Sequence, residues 1–357
     1  MPSVHVNLGP RSYDIEIGTG NLARLARYVD EWASLSHAVI VTDTNVETTH
    51  ARAAAESLST FGVDVDLLVV EAGEPSKSTD TADALWTQML EIGTDRKSVV
   101  IAVGGGVIGD LAGFVAATFA RGLAFVQVPT TLLAHVDSAV GGKVGVNLPG
   151  AKNMVGAFWQ PAGVLIDTST LATLPAREYR AGLAEVVKYG IILDADFFAY
   201  LEANVAKIDA RDAATLEHVI ERCCRLKADI VEQDEREETG VRAVLNYGHT
   251  FCHALEAVTG YEQLLHGEAV SIGMMCASRL AERLGRIDRT LGERQHALLT
   301  ALGLPVDVPA VDHDALLAAM QRDKKVEHGQ LRFVLPIELG CVELVGGIDP
   351  AVVRASL

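Results

Sequence analysis

Short apolar runs alternate with helical patterns over the first half of the chain. The runs predicted to be strands are residues 37–43, 65–70, 98–103, 123–128 and 163–167. Amphipathic segments lie between them, and in residues 81–92 the positions predicted to face the core are Ala82, Leu85, Trp86, Met89 and Leu90. Because strands buried on both faces are apolar throughout, this alternation predicts a mainly parallel sheet covered by helices. Residues 4–17 predict a β-hairpin added at an edge of that sheet.

The pattern changes near residue 175, after which helical periodicity dominates. The predicted helices span 177–189, 213–233, 250–259, 267–284 and 289–302, and a strand returns only at 331–335. We therefore expect an α/β domain over residues 1–175 and a mostly α-helical domain over residues 176–357. The length of 357 residues agrees with two domains, because a single core rarely grows beyond about 300 residues.

Composition narrows the class of protein. Apolar residues make up 49% and charged residues 22%, which is typical of a globular protein and unlike a disordered or fibrous one. The 30 Lys and Arg against 47 Asp and Glu give a net charge of −17, which disfavours nucleic-acid or membrane partners but allows a local basic pocket. The opening residues lack the pattern of a secretory signal, and the five cysteines form no CxxC pair, so we expect a reduced, cytoplasmic protein.

Gly104, Gly106 and Gly109 form a G-x-G-x-x-G pattern that follows a predicted strand and opens a helical pattern. In that context glycines let the backbone approach a pyrophosphate at a helix N-terminus. The usual dinucleotide fingerprint also has an acidic residue about 20 positions later, and none stands there. Asp43, at the end of an earlier strand, could bind a ribose if the strand order differs from the usual one; alternatively, the glycines serve only tight packing. Asp110 either caps the helix or contacts a ligand.

His249 and His253 are four residues apart and therefore share one helical face, and His266 follows them. No glutamate stands between the first two, which disfavours the H-E-x-x-H metalloproteases. Glu185 could complete a His/His/Glu set that leaves positions open for substrate, as a catalytic divalent metal requires. Cys252 is a possible fourth ligand, although its place next to His253 turns it away. The alternative is a group of structural histidines without metal.

Several basic residues stand in glycine-rich or polar surroundings of this acidic chain. In such surroundings they indicate a small anionic substrate, whereas scattered solvated charge is the alternative. The residues are Arg121, Lys143, Lys152, Lys188, Lys227, Arg242, Lys324 and Lys325.

Together these features resemble the 3-dehydroquinate synthase family of sugar phosphate cyclases over almost the whole chain. Seven blocks in order and with matched spacing carry the resemblance: residues 104–122 (GGGVIGDLAGFVAATFARG), 129–147, 152–161, 184–190 (AEVVKYG), 234–256, 264–274 and 322–325 (RDKK). The resemblance implies a Rossmann-like dinucleotide-binding domain followed by a mostly α-helical domain. It also implies a homodimer that acts on a small sugar phosphate, with NAD and a divalent ion, Zn²⁺ or Co²⁺, as cofactors.

The family's residue roles transfer to the matching positions as implications of that resemblance. The metal ligands would be Glu185, His249 and His266. The NAD site would comprise Asp43, Asn45, Glu74, Lys77, Gly104, Gly105, Gly106, Val107, Asp110, Thr130, Thr131, Lys143, Lys152, Thr170 and Thr173. The catalytic and substrate-binding residues would be Arg121, Asp137, Lys143, Lys152, Asn153, Lys188, Lys227, Arg242, Asn246, His253 and Lys324, with Arg121 reaching the neighbouring subunit's pocket.

The implied reaction converts 3-deoxy-D-arabino-heptulosonate 7-phosphate to 3-dehydroquinate and phosphate, a step of the shikimate pathway to aromatic amino acids. Bound NAD would oxidise and later re-reduce the sugar around phosphate elimination and aldol closure, without net redox change. The chain departs from the family's usual Gln at His135, Ser at Ala139 and Gly at Cys252, and it has one extra residue at 237–238. None of these departures removes a proposed ligand.

Three other function classes stay open at this point. Cyclases that make 2-epi-5-epi-valiolone or 2-deoxy-scyllo-inosose would share the NAD and metal sites, but a substrate that carries a carboxylate better explains the full set of basic residues. A metal-dependent polyol dehydrogenase would release NADH. A non-enzymatic binding protein would keep the fold without the complete set of lysines.

Overall fold

The computed structural model describes residues 2–30, 35–149, 151–260, 263–322 and 331–357. Packing divides the chain into two compact units. The first spans Met1–Leu174 and Ala213–Arg236, and the second spans Pro175–Asp212 and Glu237–Leu357. The chain leaves the first unit near residue 175, where the sequence predicts the domain boundary. It then returns to the first unit for residues 213–236, which the expected division into 1–175 and 176–357 places in the second domain.

A seven-stranded sheet forms the centre of the first unit. Its strands are β1 (Ser3–Val6), β2 (Tyr13–Gly18), β3 (His37–Asp43), β4 (Asp64–Val70), β5 (Val99–Gly104), β6 (Ala124–Pro129) and β9 (Gly163–Asp167), in the spatial order β1-β2-β9-β6-β5-β3-β4. Neighbouring strands are parallel except β1 and β2, which form the antiparallel edge hairpin predicted from the sequence. The expectation of a mainly parallel sheet is confirmed.

The five strands that follow the hairpin have a doubly wound order. Numbered 1 to 5 along the chain, these strands are β3, β4, β5, β6 and β9. Their spatial order is β4-β3-β5-β6-β9, which is 2-1-3-4-5. This is the flavodoxin-like order, in which the strand sequence reverses between the first and third strands. The reversal falls between β3 and β5, so the carboxyl ends of these two strands flank the switch point.

Helices cover both faces of the sheet. On one face lie α1 (Leu25–Asp30) and α2 (Arg52–Ser59), and on the other lie α3 (Thr79–Glu91) and α4 (Gly106–Thr118). Alternate residues of β3 serve the two faces: Ile40 packs with the first pair and Val41 with the second. The prediction that Leu90 faces the core is wrong, because its position on α3 leaves it 73% exposed.

The second unit is mostly helical, as expected. Its helices are α5 (Ala176–Leu193), α6 (Ala195–Asp209), α8 (His249–Val258), α9 (His266–Arg283), α10 (Arg289–Ala301), α11 (His313–Arg322) and α12 (Pro350–Arg354), with one hairpin of β10 (Arg332–Glu338) and β11 (Cys341–Gly346). The helix that returns to the first unit is α7 (Ala213–Gln233), which packs against β1 and β2. Its Glu232 accepts a hydrogen bond from the Asn7 amide at 3.0 Å.

A second hairpin, β7 (Lys143–Leu148) with β8 (Ala151–Phe158), packs beside α4 in the first unit. Gly113 of α4 allows this approach, because a Cβ there would lie 2.3 Å from Val144 Cγ1. Over the described ranges, no helix is long and apolar enough to cross a membrane.

Candidate active site

Asp43 and the glycine loop meet at the switch point of the sheet. Thr42 pairs with Val103 in the parallel register, and its Oγ1 donates to the Val103 carbonyl at 2.8 Å. Asp43 and Gly104, the next residues, therefore end neighbouring strands. This order explains why no acidic residue follows the glycine loop by about 20 positions: the acidic strand end beside the loop comes from an earlier strand.

The first two glycines of the loop have close neighbours that leave little space for a side chain. A Cβ at Gly104 would lie 2.7 Å from Ile108, and one at Gly105 would lie 3.1 Å from Thr131 Cγ2. Gly105 precedes α4 and provides no side-chain cap. The first amides of a helix have no partner within the helix, so this end of α4 can donate to an anionic group.

Several other residues assigned to NAD lie at the same carboxyl edge of the sheet or in the turns that follow it. The Thr130 amide donates to the Gly104 carbonyl at 2.9 Å. After β9, Thr170 Oγ1 donates to the Asp167 carbonyl at 2.7 Å, and Thr173 Oγ1 lies 2.8 Å from His50 Nε2. The Asn45 amide donates to Asp43 Oδ1 at 2.9 Å. Burial raises the pKa of Asp43, although this hydrogen bond acts in the opposite direction.

Lys77 is the centre of a polar network in the first unit. Its Nζ lies 2.5 Å from Asp110 Oδ2 and 2.5 Å from Asn153 Oδ1. Burial raises the pKa of Asp110, and Lys77 opposes that rise. Asn147 extends the network, because its side chain donates to Glu74 at 2.8 Å and accepts from the Asn153 amide at 2.8 Å. The network ties the turn at Glu74, the start of α4 and the β7–β8 hairpin together.

A second lysine with an acidic partner lies on α7. Lys227 Nζ donates to the Asp137 carbonyl at 2.6 Å and to its carboxylate at 2.7 Å. The other assigned residues of this unit lie on short connections or on the hairpin. Lys143 begins β7, Lys152 lies on β8, and Arg121 is exposed with a φ of +71° in the loop after α4.

Glu185, His249 and His266 converge in the second unit. They come from α5, α8 and α9, and one ligand atom from each lies within 4.8 Å of the others. Both imidazole Nε2 atoms face Glu185 Oε1, at 3.6 Å from His249 and 3.7 Å from His266. Glu185 is fully buried.

This arrangement fits a tetrahedral divalent metal. Ligand atoms about 2.1 Å from a metal at tetrahedral angles are separated by about 3.4 Å, close to the two observed distances. Nδ1 of His249 donates to the Tyr247 carbonyl at 3.1 Å, which leaves the Nε2 lone pair directed at Glu185. A glutamate and two imidazoles with such a tautomer are a standard set of ligands for Zn²⁺ or a similar ion.

Close helix packing brings the three side chains together. A Cβ at Gly267 would lie 1.8 Å from the Ala181 carbonyl oxygen, so only glycine lets the start of α9 approach α5 this closely. Arg177 and Glu268 link the same two helix ends through two hydrogen bonds of 2.8 Å. His266, adjacent to Gly267, is thereby carried toward Glu185.

The remaining assigned residues of the second unit lie near this cluster or on the segment before α8. Lys188 is buried and forms an ion pair with Glu185 one turn away. The His253 ring makes an edge contact with the His249 ring at 5.7 Å between centroids. Arg242 is buried, with Nε 3.6 Å from Glu237, and Asn246 ends the same short helical segment. Lys324 lies outside the described residues.

Two residues of these networks were missed from the sequence. Asn147 bridges Glu74 and Asn153, and Glu256 Oε1 lies 3.3 Å from His266 Nδ1. Burial opposes protonation of His266, but Cys252, Glu185 and Glu256 together raise its pKa well above the ordinary value. Asn147 is the last residue of the block 129–147 and Glu256 is the last residue of the block 234–256. Their place in blocks that resemble the family was the signal that could have pointed to them.

Comparison with known proteins agrees with the fold and shows the family. Family models described as 3-dehydroquinate synthase N-terminal and C-terminal match residues 67–181 and 182–326. A protein from Rhodopirellula baltica named 3-dehydroquinate synthase is 50% identical over 363 residues, covering 100% of this chain and 97% of that protein. The chain belongs to the 3-dehydroquinate synthase family.

Two solved structures extend the comparison to other sugar phosphate cyclases. A 2-deoxy-scyllo-inosose synthase complexed with carbaglucose-6-phosphate, NAD⁺ and Co²⁺ has a TM-score of 0.91 at 26% identity, over 99% of this chain and 98% of that one. The 2-epi-5-epi-valiolone synthase of Streptomyces hygroscopicus, with NAD⁺ and Zn²⁺ bound, has a TM-score of 0.88 at 30% identity, over 96% and 95%. The 3-dehydroquinate synthase relative is thus much closer in sequence than either cyclase.

Proposed function

We propose that this protein is a 3-dehydroquinate synthase, which converts 3-deoxy-D-arabino-heptulosonate 7-phosphate to 3-dehydroquinate and phosphate. The observation that carries the proposal is the 50% identity to a protein of that name, over 100% of this chain and 97% of that protein. The cluster of Glu185, His249 and His266 supports it, because two solved sugar phosphate cyclases of similar fold have Co²⁺ or Zn²⁺ bound.

NAD is proposed as the bound cofactor of the first unit. Structural relatives with NAD⁺ bound support this assignment, as does the meeting of Asp43 with the glycine loop at the switch point. Asp43 would accept from ribose hydroxyls, and the first amides of α4 would donate to the pyrophosphate. Thr130, Thr131, Thr170 and Thr173 follow the ends of neighbouring strands and would line the same edge.

Glu185, His249 and His266 are proposed to hold a divalent metal, and Zn²⁺ and Co²⁺ are the candidates. When bound, NAD⁺ supplies a hydride acceptor and the metal supplies Lewis-acid stabilisation of developing negative charge on oxygen. The protein's part is to fix these groups: Tyr247 sets the tautomer of His249, and the close packing at Gly267 sets the place of His266.

The substrate carries a phosphate and a carboxylate, and buried cations are proposed to bind them. Lys227 is oriented by Asp137, and Lys77 orients Asn153 next to Lys152 in the first unit. In the second unit, Lys188 and Arg242 are both at most 3% exposed, so their interactions with an anion are little screened by water. His253 and Asn246 add polar groups beside them.

The rival cyclases use the same cofactors, and the difference lies in the substrate. A substrate carboxylate would offer the buried Arg242 guanidinium a planar acceptor for two parallel hydrogen bonds, which a substrate without a carboxylate does not provide. We also propose a homodimer in which the exposed Arg121 contributes to the neighbouring pocket, and a cytoplasmic location, which five cysteines without a disulfide support.

One assay separates the candidates. The purified protein with NAD⁺ and Zn²⁺ or Co²⁺ is mixed with 3-deoxy-D-arabino-heptulosonate 7-phosphate, and phosphate and NADH are both followed. Phosphate release with no net NADH is the expected result. Absence of phosphate release would contradict the proposal and favour another sugar phosphate cyclase, and net NADH would indicate a dehydrogenase.

A further inference from the structure

Both ring nitrogens of His266 have acidic partners. Its Nε2 lies 3.7 Å from Glu185 Oε1, on the side where the metal ligands converge. Its Nδ1 lies 3.3 Å from Glu256 Oε1, on the opposite side of the ring. Glu256 comes from α8, one turn after His253, and its side chain is only 10% exposed. His266 is therefore held between two carboxylates from different helices.

The two contacts require a particular tautomer. A carboxylate only accepts, so the contact with Glu256 places the proton on Nδ1. That leaves the Nε2 lone pair available for a metal between His266 and Glu185. Metal-bound histidines commonly donate their other nitrogen to a carboxylate in this way, which fixes the ring and makes it a better ligand.

Cys252 competes for the same nitrogen. Its Sγ lies 3.8 Å from His266 Nδ1 and donates to the His266 carbonyl at 3.9 Å. A neutral thiol is a weak acceptor, and its contact is 0.5 Å longer than that of Glu256. Cys252 and Glu256 lie one turn apart on α8. His266 Nδ1 therefore has two candidate acceptors, a weak thiol and a strong carboxylate.

We propose that Glu256 is a positioning residue for the metal ligand His266. It accepts from Nδ1, fixes the tautomer that binds through Nε2, and holds the ring toward Glu185. Cys252 fills space next to the ring and contributes little to metal affinity. The proposal rests on the proposed function, because it requires the metal at Glu185, His249 and His266. It concerns Glu256, a residue with no role in the sequence analysis.

The test measures metal affinity directly in the full-length protein. Metal-free wild type, E256A, E256Q and C252A are titrated with Co²⁺, and the dissociation constant and the visible absorption spectrum are recorded. We expect E256A to weaken Co²⁺ binding by about 10- to 100-fold and to change the spectrum. E256Q keeps an acceptor without its charge and should lose less. C252A, the matched control on the same helix face, should lose less than about tenfold.

The outcomes distinguish three failures. Wild-type affinity and spectrum in E256A would overturn the role of Glu256 and leave the metal site intact. A large loss in C252A with none in E256A would assign the orienting role to Cys252 instead. Absence of Co²⁺ binding by the wild type would overturn the metal site itself and the role of Glu256 with it. Thermal unfolding of the metal-free variants identifies misfolding, and E256Q, being nearly isosteric, tests the proposal if E256A does not fold.

Discussion

Gly267 lies so close to Ala181 that a Cβ on the glycine would stand 1.8 Å from the alanine's carbonyl oxygen. This contact brings the first turn of α9 against α5, and it is next to the candidate metal ligand His266. Helix packing and the geometry of the candidate metal site are thus coupled at one residue.

Replacing Gly267 by alanine should damage both stability and metal binding. The helices must separate to admit the methyl group, and overpacking of this kind costs about 1–3 kcal/mol or more. His266 would move with α9 away from Glu185. We expect a lower melting temperature and a weaker Co²⁺ dissociation constant. Gly292→Ala is the control, because its Cβ would meet only the Ser278 hydroxyl at 3.3 Å; equal effects of the two variants would contradict the coupling.

His249→Ala should lose metal and turnover together. It removes one of three proposed metal ligands whose atoms lie within 4.8 Å of one another. Loss of a direct ligand should weaken the affinity at least as much as loss of an orienting residue does, by roughly 100-fold or more. Metal content after dialysis and phosphate release measure the two effects. The exposed His296 on α10 provides the control His296→Ala. Full metal content with normal turnover in His249→Ala would exclude this ligand.

Lys77→Met should weaken NAD⁺ binding and destabilise the first unit. Lys77 is buried and holds Asp110 and Asn153 at 2.5 Å each. Without it, the pKa of Asp110, already raised by burial, should rise further. We expect an NAD⁺ dissociation constant at least about 10-fold higher by calorimetry, which corresponds to one lost charge-assisted contact of about 1.4 kcal/mol. Lys97→Met, at an exposed position, is the control; equal NAD⁺ affinities of the two variants would exclude this role.

Burial on both faces explains how well the parallel strands could be predicted. The run from His37 to Asp43 was predicted with the bounds that the structure shows, because its central residues are all buried and apolar or nearly so. The helix α6 and the hairpin β7–β8 were missed. In β7, Val144 and Val146 alternate with polar or glycine residues over only six positions, and glycines such as Gly145 and Gly156 interrupt the apolar pattern of the hairpin.

The features of the site that could not be predicted depend on how helices pack against the rest of the fold. The amphipathic pattern of α7 predicted the helix with its observed bounds, but an apolar face does not specify which unit will cover it. Asp43 was proposed with the condition that the strand order differ from the usual one, and the order does differ. Glu256 was missed because its contact with His266 depends on how α8 and α9 pack, which spacing along the chain does not encode.

His135 should make the protein sensitive to mild acid. Its ring is fully buried, Nε2 donates to the Pro129 carbonyl at 2.9 Å, and burial lowers its pKa to about 4. The unfolded chain takes up a proton near pH 6.5 and the folded one only near pH 4, so the free energy of unfolding should fall as the pH drops through this window. The loss is about 2 kcal/mol by pH 5. His135→Gln, which carries the family's usual residue, can still donate to Pro129 and has no such titration. We therefore expect the wild type to lose more stability than the variant between pH 7.5 and pH 5 in chemical denaturation, and parallel pH profiles would show that His135 is not the source.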